Sequence, residues 1–328
     1  MHIPDNYLSP QTCAVMAAAM VPVWIVSVKK VKEELPKVKL PMLGVGAAFS
    51  FLGMMFNIPV PGGTTGHAVG GTLIASLLGP YAACIAVSVA LLLQALVFGD
   101  GGILSFGANC FNMAFVLPFA GYAVSHMIAK HIKNKNSNVI GAAIGSYIGI
   151  NAAAFCAAVE FGIQPVLFKD TSGNPMYCPY GLGISIPAMM AGHLTLFGLA
   201  EVIYTAAVLS FVNKTSPELK KDTSVKTSLP LKILLAALIL LTPAGLLAEG
   251  TAWGEWGTDE IASSGAGFTP DGMLSGFDYR ALIPDYSVTG MPEWLGYILS
   301  GTIGAAVLII IFKLFSLWGS SRKERAAA

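Results

Sequence analysis

The residues that offer chemistry are concentrated at the amino terminus, which begins Met1-His2. A histidine at position 2 lets three nitrogens bind one metal ion together: the free α-amine of Met1, the backbone amide nitrogen of His2 and Nδ1 of its imidazole. The amine and amide close a five-membered chelate ring, and the amide and Nδ1 close a six-membered one. Planar nitrogen coordination is the geometry of Ni(II) or Cu(II), which also promote the amide ionisation that it requires. The terminus is therefore a candidate site for a divalent transition metal.

His67 is the candidate for the fourth donor, because three nitrogens in one plane leave one position open. It follows the segment PVPGGTTG at 59–66, and such Gly and Pro residues are typical of a loop in which backbone approaches backbone closely. Alone, this histidine is more typical of a hydrogen-bonded helix start, since it opens a short apolar segment at 67–79. Together with His2, it favours a metal site made of Met1, His2 and His67.

Polar residues near these ligands are candidates for a supporting hydrogen-bond shell, because ligating imidazoles usually donate their second N–H to a carbonyl or carboxylate. They are Asp5, Asn57, Thr64 and Thr65. Each is equally typical of a turn, and Asp5-Asn6 after Pro4 is a turn pattern. Both interpretations remain open from the sequence.

A second polar group lies inside apolar segments, with His193 and Glu201 in one segment and Asn109 and Asn112 in another. Ionisable residues are costly in hydrocarbon, so they are functional candidates by default. His193 and Glu201 lie about 12 Å apart along a helix axis and cannot pair directly. The two asparagines share one helical face and are candidate partners. We predict an intramembrane polar network, and hydrogen bonding between helices is favoured over a second metal site.

The chain lacks the sequence patterns of an enzyme. It has no G-x-x-x-x-G-K-[ST] phosphate loop, so we do not expect it to hydrolyse ATP itself. No Cys-x-x-Cys pair, Ser/His/Asp set or paired carboxylates indicate catalysis. We expect neither a tightly bound catalytic cofactor nor a nucleic-acid partner.

The elements that must position these residues are membrane helices. Hydrophobic residues make up 55% of the 328-residue chain and charged residues only 11%, whereas soluble proteins average about 25% charged. Nine apolar segments are candidate spans of a lipid bilayer. Their approximate bounds are 10–28, 40–57, 67–79, 81–98, 104–129, 138–160, 183–212, 229–248 and 294–317. The third is too short to cross alone, because Gly79-Pro80 ends it.

Basic residues predict the orientation, because cytoplasmic loops retain Lys and Arg. If nine spans alternate, all of the 19 Lys and Arg residues except Lys169 and Arg280 lie on one side. This predicts a multi-pass protein of a prokaryotic cell (inner) membrane, with an extracytoplasmic amino terminus and a cytoplasmic carboxy terminus. Residues 1–10 contain no Lys or Arg, so we expect the first span to be retained rather than cleaved. Met1 and His67 then face the same side.

A composition break divides the chain into two expected modules. The first module covers residues 1–212, residues 213–228 form a polar cytoplasmic linker, and the second module covers residues 229–328. The second module has two spans around an extracytoplasmic segment at 249–293. This segment is too long for an ordinary connection, so we expect a functional or docking loop. The predicted fold class is an all-α integral membrane protein with about nine transmembrane helices.

Small residues recur inside two of the predicted spans. Ala17, Ala18 and Ala19 lie in the first, and Gly141, Gly145 and Gly149 lie in the sixth. Small residues at four-residue spacing permit close helix approach in lipid. We expect packing within this chain, and the alternative is that the alanine face of the first span docks another membrane subunit.

Three tracts carry a family resemblance. The opening MHIPDNYLSP, the loop NIPVPGGTTGHAVGG and the tract PDYSVTGMPEWLGYILSGTIG resemble nickel/cobalt transporters of the energy-coupling-factor (ECF) class. The first two are similar to the substrate-binding M component. The third, with the rest of 229–328, is similar to the small N component fused behind it. The resemblance covers nearly the whole chain.

The resemblance implies an all-helical bundle with an extra amino-terminal helix that places the ligands. It implies that the α-amine of Met1, the amide and imidazole of His2, and His67 hold the metal. It also implies a transmembrane coupling (T or Q) subunit and cytoplasmic ATPase (A or O) subunits as partners. The MHIPD opening resembles the nickel branch of the family more than the cobalt branch. Asn6 departs from the pattern, because Gly is more usual there.

The expected function is that of a substrate-specificity subunit of an ECF-type ABC importer, with Ni(II) as substrate. Co(II) import for cobalamin synthesis is the alternative within the family. A second class is a self-sufficient metal/proton secondary transporter in which His193 and Glu201 relay protons. A third is a membrane metalloenzyme with an external copper site, for which the sequence offers no catalytic base.

Overall fold

The computed structural model describes residues 1–36, 39–59, 65–216, 228–248 and 258–327. Within these residues the chain is almost entirely helical, and the strands are one short antiparallel pair. Ile58–Pro59 (β1) pairs with Thr65–Gly66 (β2). This pair lies between the second and third helices, so it presents the segment that leads into His67.

The described residues form fourteen α-helical segments. They are α1 (Pro10–Glu34), α2 (Leu40–Met54), α3 (Gly71–Leu78), α4 (Pro80–Leu93), α5 (Phe106–Asn109), α6 (Leu117–His131), α7 (Ser137–Gly162), α8 (Gln164–Leu167), α9 (Leu182–Gly192), α10 (Gly198–Thr215), α11 (Leu229–Leu241), α12 (Thr258–Ile261), α13 (Asp271–Leu274) and α14 (Glu293–Ala327). Short π-helical or 3-10 segments extend or join several of them. These are Gln94–Phe98, Cys110–Val116, His193–Phe197, Thr242–Leu247, Ala262–Ala266 and Pro284–Tyr286.

Among the described residues, 7 helical stretches are long and apolar enough to cross a membrane. They are Pro10–Glu34, Pro80–Phe98, Phe106–His131, Ser137–Leu167, Leu182–Thr215, Leu229–Leu247 and Glu293–Leu317. The predicted all-α, multi-pass membrane architecture is confirmed. The remaining two of the nine predicted spans are shorter helices, since α2 has 15 residues and α3 has 8.

The third helix begins at Gly71, which corrects the prediction that His67 opens it. Gly70 has a φ of 72°, a left-handed conformation that glycine adopts at little cost, and it turns the chain into the helix. Gly79, with a φ of 91°, separates α3 from α4, and Pro80 starts α4. His67 therefore lies in the non-helical segment between β2 and α3.

The helices α6 and α7 approach each other through glycines. A Cβ on Gly149 would lie 2.5 Å from the carbonyl oxygen of Leu117, and one on Gly145 would overlap the carbonyl oxygen of Gly121. Only glycine permits backbones to come this close. The predicted packing of these glycines within the chain is confirmed. In α1, Ala18 and Ala19 are exposed, so docking of another subunit there stays a prediction.

The last helix packs along α2, so that the two predicted modules share one bundle. A Cβ on Gly44 would lie 2.9 Å from Cα of Ile309 and 3.1 Å from the carbonyl oxygen of Leu308. In the same interface, Gly304 lies against the ring of Phe51. The carboxy-terminal part is therefore held to the first module by close helix contact.

The described part of the connection between α11 and α14 crosses the first module at residues 258–292. Ile283 donates its backbone N–H to the carbonyl of Val97 at 2.7 Å. The hydroxyl of Tyr279 donates to the carbonyl of Leu96 at 3.0 Å. These bonds dock the connection on the end of the span Pro80–Phe98, beside the amino-terminal tail.

Candidate functional site

The amino-terminal tail folds back into the protein instead of extending into solvent. Met1, His2 and Ile3 are 3%, 1% and 0% exposed. Ser9 caps α1 by accepting a hydrogen bond from the backbone N–H of Thr12 at 3.0 Å, and this fixes the direction in which the tail leaves the helix. The first three residues are thereby placed among the ends of other helices.

The two predicted histidine ligands meet in this buried region. Nδ1 of His2 lies 3.0 Å from Nε2 of His67, although the residues are 65 positions apart in sequence. Nδ1 of His67 lies 3.3 Å from the carbonyl oxygen of Ala68. A carbonyl only accepts hydrogen bonds, so Nδ1 of His67 carries the proton and Nε2 directs its lone pair toward His2. This tautomer leaves Nε2 available to a metal.

The environment keeps both imidazoles neutral. Burial, followed by the positive charge of the Met1 α-amine, lowers the pKa of His2 to about 3, and the Gln94 side chain offsets this only in part. Burial also lowers the pKa of His67 well below its ordinary value, and the charges of His2 and of the α-amine act in the same direction. A metal needs neutral imidazoles, and at neutral pH both rings are neutral.

Asn109 holds the tail through the backbone of Ile3. Its Oδ1 accepts the Ile3 N–H at 2.8 Å, and its Nδ2 donates to the Ile3 carbonyl at 3.0 Å. The same carbonyl accepts a hydrogen bond from the Ser105 hydroxyl, and one from the Gly102 N–H at 2.9 Å. Asn109 therefore fixes Ile3, the residue next to the amide of the predicted chelate. The predicted pairing of Asn109 with His193 or Glu201 did not include this role.

Three of the four residues predicted as a supporting shell lie among the described residues, and their surroundings differ. Asp5 accepts the backbone N–H groups of Ile103 and Leu104 at 3.0 and 2.8 Å, so it organises the loop after α4 and bonds neither imidazole. Asn57 and Thr65 are buried, and Thr65 lies in β2 two residues before His67. Thr64 lies outside the described residues.

Asp100 is a residue of this site that the sequence reasoning missed. Its Oδ1 lies 3.4 Å from Nδ1 of His2, and its side chain is 1% exposed. Its Oδ2 accepts hydrogen bonds from Gln94 Nε2 at 2.9 Å and from the Tyr286 hydroxyl. Burial raises the pKa of this carboxyl to about 7 against the lowering effects of Tyr286, the α-amine and Gln94. A lone acid between two glycines in FGDGG, directly after an apolar segment, was the signal that could have identified it.

Glu201 holds the segment that follows His67. Its carboxylate accepts the Val69 N–H at 2.7 Å and the Gly70 N–H at 3.1 Å. The carbonyl of Val69 accepts a hydrogen bond from the Ser50 hydroxyl at 2.7 Å. A carboxylate that binds two backbone N–H groups fixes the chain strongly, so Glu201 determines where the non-helical segment with His67 lies.

The four predicted intramembrane polar residues do not form one network. His193 places Nδ1 2.8 Å from the carbonyl of Met189, one turn earlier. Asn112 donates to Glu160 at 2.9 Å, a carboxylate that the sequence reasoning did not single out. Glu201 and Asn109 each bond backbone at the candidate site instead. A connected relay between His193 and Glu201 is absent from the hydrogen bonds of the described residues.

The donor set at this site differs from an ordinary side-chain metal site. Among the described residues, no group of three or more His, Cys, Asp or Glu side chains is arranged to hold a metal ion. In the predicted chelate, nitrogen donors from the terminus and the backbone complete the set at the histidine pair. The two imidazoles, the His2 amide and the α-amine of Met1 are the four nitrogens of the predicted chelate.

Comparisons with known proteins cover both parts of the chain. Residues 2–219 match the family described as the cobalt uptake substrate-specific transmembrane region, and residues 228–319 match the PDGLE domain. The probable fused nickel transport protein LarMN of Lactiplantibacillus plantarum is 50% identical over 321 residues, which covers 95% of this chain and 97% of that protein. The fused nickel transport protein NikMN of Rhodobacter capsulatus is 46% identical over 332 residues, which covers 94% and 95%.

A solved structure of a transition metal transporter is also similar. It is 54% identical, has a TM-score of 0.62, and covers 65% of this chain and 93% of its own length. Similarity to metal transport proteins thus extends through the sequence and the helical fold.

Proposed function

The chain belongs to the family of cobalt uptake substrate-specific transmembrane proteins, with a PDGLE domain behind it, and from that premise we propose that it captures Ni(II) at its own amino terminus for import. The relatives are named transport proteins, not enzymes. The chain is accordingly a multi-pass membrane protein of a nickel/cobalt transport family. The metal is its substrate.

The observation that carries the proposal is the distance of 3.0 Å between Nδ1 of His2 and Nε2 of His67. In a planar chelate, the amine, the amide and Nδ1 occupy three positions, and a fourth nitrogen trans to the amide lies cis to Nδ1. With metal–nitrogen bonds of about 2 Å, cis nitrogens are separated by about 2.8 Å. The histidine pair is already within a few tenths of an ångström of that spacing, which supports a preorganised site for one ion.

Nickel is the preferred ion because the chelate needs an ionised backbone amide. Ni(II) promotes this ionisation and favours planar nitrogen donors. Two relatives that cover nearly the whole chain are named nickel transport proteins. Co(II) remains the alternative substrate, and the description of the matching family names cobalt uptake.

Import also requires partners and a defined orientation. The missing phosphate loop and the resemblance to ECF transporters support a coupling subunit in the membrane and ATPase subunits in the cytoplasm. The distribution of Lys and Arg supports an extracytoplasmic amino terminus. The protein then receives the ion outside the cell, and its partners supply the energy of ATP hydrolysis.

The decisive experiment is a calorimetric titration of the purified full chain with Ni(II), preceded by intact-mass measurement to establish that Met1 is unblocked. We expect one tight site. A single residue added before Met1 removes the amine from the chelate, and His67→Ala removes the fourth donor, so both variants should lose tight binding. His126→Ala is the matched control, because His126 is exposed and lies outside this site.

Unchanged Ni(II) affinity in the extended variant would refute capture at the terminus, whatever the outcome with His67→Ala. A parallel titration with Co(II) assigns the ion. Tighter binding of Co(II) than of Ni(II) by the unmodified chain would reverse the order of the two substrates while leaving the site intact.

A further inference from the structure

The ring of Tyr286, a residue of the PDGLE domain, is enclosed within the bundle. Tyr286 is 0% exposed. Its ring centroid lies 4.8 Å from that of Phe98 and 6.2 Å from that of Phe51, both in the first module. Its ring centroid also lies 5.5 Å from that of Tyr297 in α14. A residue of the carboxy-terminal part therefore reaches the inside of the first module.

The hydroxyl of Tyr286 is hydrogen-bonded to Asp100, the carboxylate beside His2 and His67. It donates to Oδ2 of Asp100, although 186 positions separate these residues. Gln94 completes the arrangement, because its Nε2 donates both to Oδ2 of Asp100 and to the Tyr286 oxygen, each at 2.9 Å. One carboxylate oxygen thus accepts two hydrogen bonds, and this fixes the rotation of the Asp100 side chain.

The other oxygen of Asp100 is directed at the ligand. Oδ1 is buried and has no hydrogen-bond partner among the described residues, yet it lies 3.4 Å from Nδ1 of His2. A buried polar oxygen without a partner is costly and calls for an explanation. An ion would supply the partner: a divalent metal bound to one ionised amide would retain one positive charge, and a carboxylate beside it would balance that charge inside a buried site.

The backbone around Tyr286 is held in an unfavourable conformation to make this contact. Asp285 and Tyr286 have φ values of 54° and 58°, in the left-handed region that residues other than glycine rarely adopt. The Ser300 hydroxyl donates to the carbonyl of Tyr286 at 3.0 Å, which secures the turn against α14. Such strain persists only where the surrounding contacts impose it, and it is concentrated at functional sites.

We propose that the PDGLE domain completes the ion site, with Tyr286 acting as a positioning residue that holds Asp100 against His2. The inference rests on the proposed function and assigns a role to the second module within it. Tyr286 does not touch the ion; it acts through Asp100. The fused carboxy-terminal part then contributes directly to the affinity of the site in the first module.

The test compares two variants that each remove one hydroxyl from the same connection. Tyr286→Phe removes the bond to Asp100, whereas Tyr279→Phe removes the bond to the Leu96 carbonyl. Measured by chelator competition on the full chain, Tyr286→Phe should weaken Ni(II) binding about tenfold, the low end of outer-shell effects. Tyr279→Phe should bind as the unmodified chain does. The visible absorption band of bound Ni(II) should shift in Tyr286→Phe alone, because only that change alters the surroundings of His2.

A double variant distinguishes a relay from general loosening. If Tyr286 acts through Asp100, adding Tyr286→Phe to Asp100→Asn should weaken binding little beyond Asp100→Asn alone. Full additivity, or equal losses in Tyr286→Phe and Tyr279→Phe, would overturn the inference. Unchanged affinity in Tyr286→Phe would also overturn it and leave capture at the terminus standing. An unmodified chain that binds no Ni(II) would remove the proposed function, and this inference with it.

Discussion

Replacing Asn109 with alanine tests whether the amino-terminal tail must be held in place for metal capture. The variant loses the hydrogen bond from Asn109 Nδ2 to the Ile3 carbonyl and the one that the Ile3 N–H donates to Oδ1. The Ile3 carbonyl keeps its bonds from Ser105 and Gly102, but its buried N–H is left without this partner. One lost bond contributes about 1 kcal/mol and a buried orphan N–H costs about 1–3 kcal/mol.

We therefore expect the docked tail to lose about 2–4 kcal/mol relative to an undocked tail. Apparent affinity falls with the population of the binding-competent state, so Ni(II) binding should weaken by about 30- to 700-fold where the tail undocks. Chelator competition on the purified chain measures this loss. Amide exchange of residues 1–8 in the metal-free protein should accelerate at the same time.

Asn112→Ala is the matched control for Asn109→Ala. The two residues are of the same type, three positions apart on the same membrane helix, but Asn112 donates to Glu160 and does not contact the tail. We expect Asn112→Ala to lower the thermal stability without a change in Ni(II) affinity. Equal affinity in Asn109→Ala and the unmodified chain, or an equal loss in both variants, would refute the reasoning that tail docking supports the site.

Further predictions concern the segment after the histidine ligand and the tail. Glu201→Gln leaves one amide oxygen for the two backbone N–H groups of Val69 and Gly70, so Ni(II) affinity should fall about tenfold. Unchanged binding would show that these hydrogen bonds do not affect His67. Gly70→Ala and Gly173→Ala both place a side chain at positive φ, which costs about 1–2 kcal/mol of strain. Only the Cβ at position 70 would also contact a ring, that of Tyr204, at 3.0 Å. Thermal unfolding should therefore show the larger loss for Gly70→Ala, and equal losses would exclude that clash. Asn6 has a φ of 68°, which glycine also adopts, so Asn6→Gly keeps the backbone conformation but removes both hydrogen bonds to the backbone of Phe277. Amide exchange at residues 276–278 should then accelerate. Unchanged exchange would show that these bonds do not hold the connection between α11 and α14.

The proposed ligand residues could be chosen from the sequence because their chemistry is local. Met1 and His2 are adjacent, and the chelate rings that they close depend on covalent geometry alone. His67 was selected by its loop and by the expected side of the membrane, and the structure brings it to His2. Its placement at a helix start was wrong, because the sequence did not reveal that Gly70 turns the chain before the helix begins.

The residues that hold the ligands were harder to predict because their contacts are distant in sequence. Asn109 and Glu201 were recognised as polar residues in apolar segments, but spacing along a helix says only which face they share. Spacing does not show that the amino-terminal tail and the segment after β2 insert between helices, where their backbone groups bond to Asn109 and Glu201. No sequence pattern links Asp100 to Tyr286, because the two residues belong to different modules. Their contact follows from the packing of α14 along α2, which needs the folded bundle.

The burial of the histidine pair has a consequence for kinetics. With His2 and His67 only 1% and 3% exposed, an ion in solution cannot directly reach the nitrogens of the proposed site. Loading then waits on a brief uncovering of the pair, so its rate should level off as the ion concentration rises instead of climbing in proportion. Once the cover returns, the same burial retains the ion, and residence time becomes a property of the closed protein.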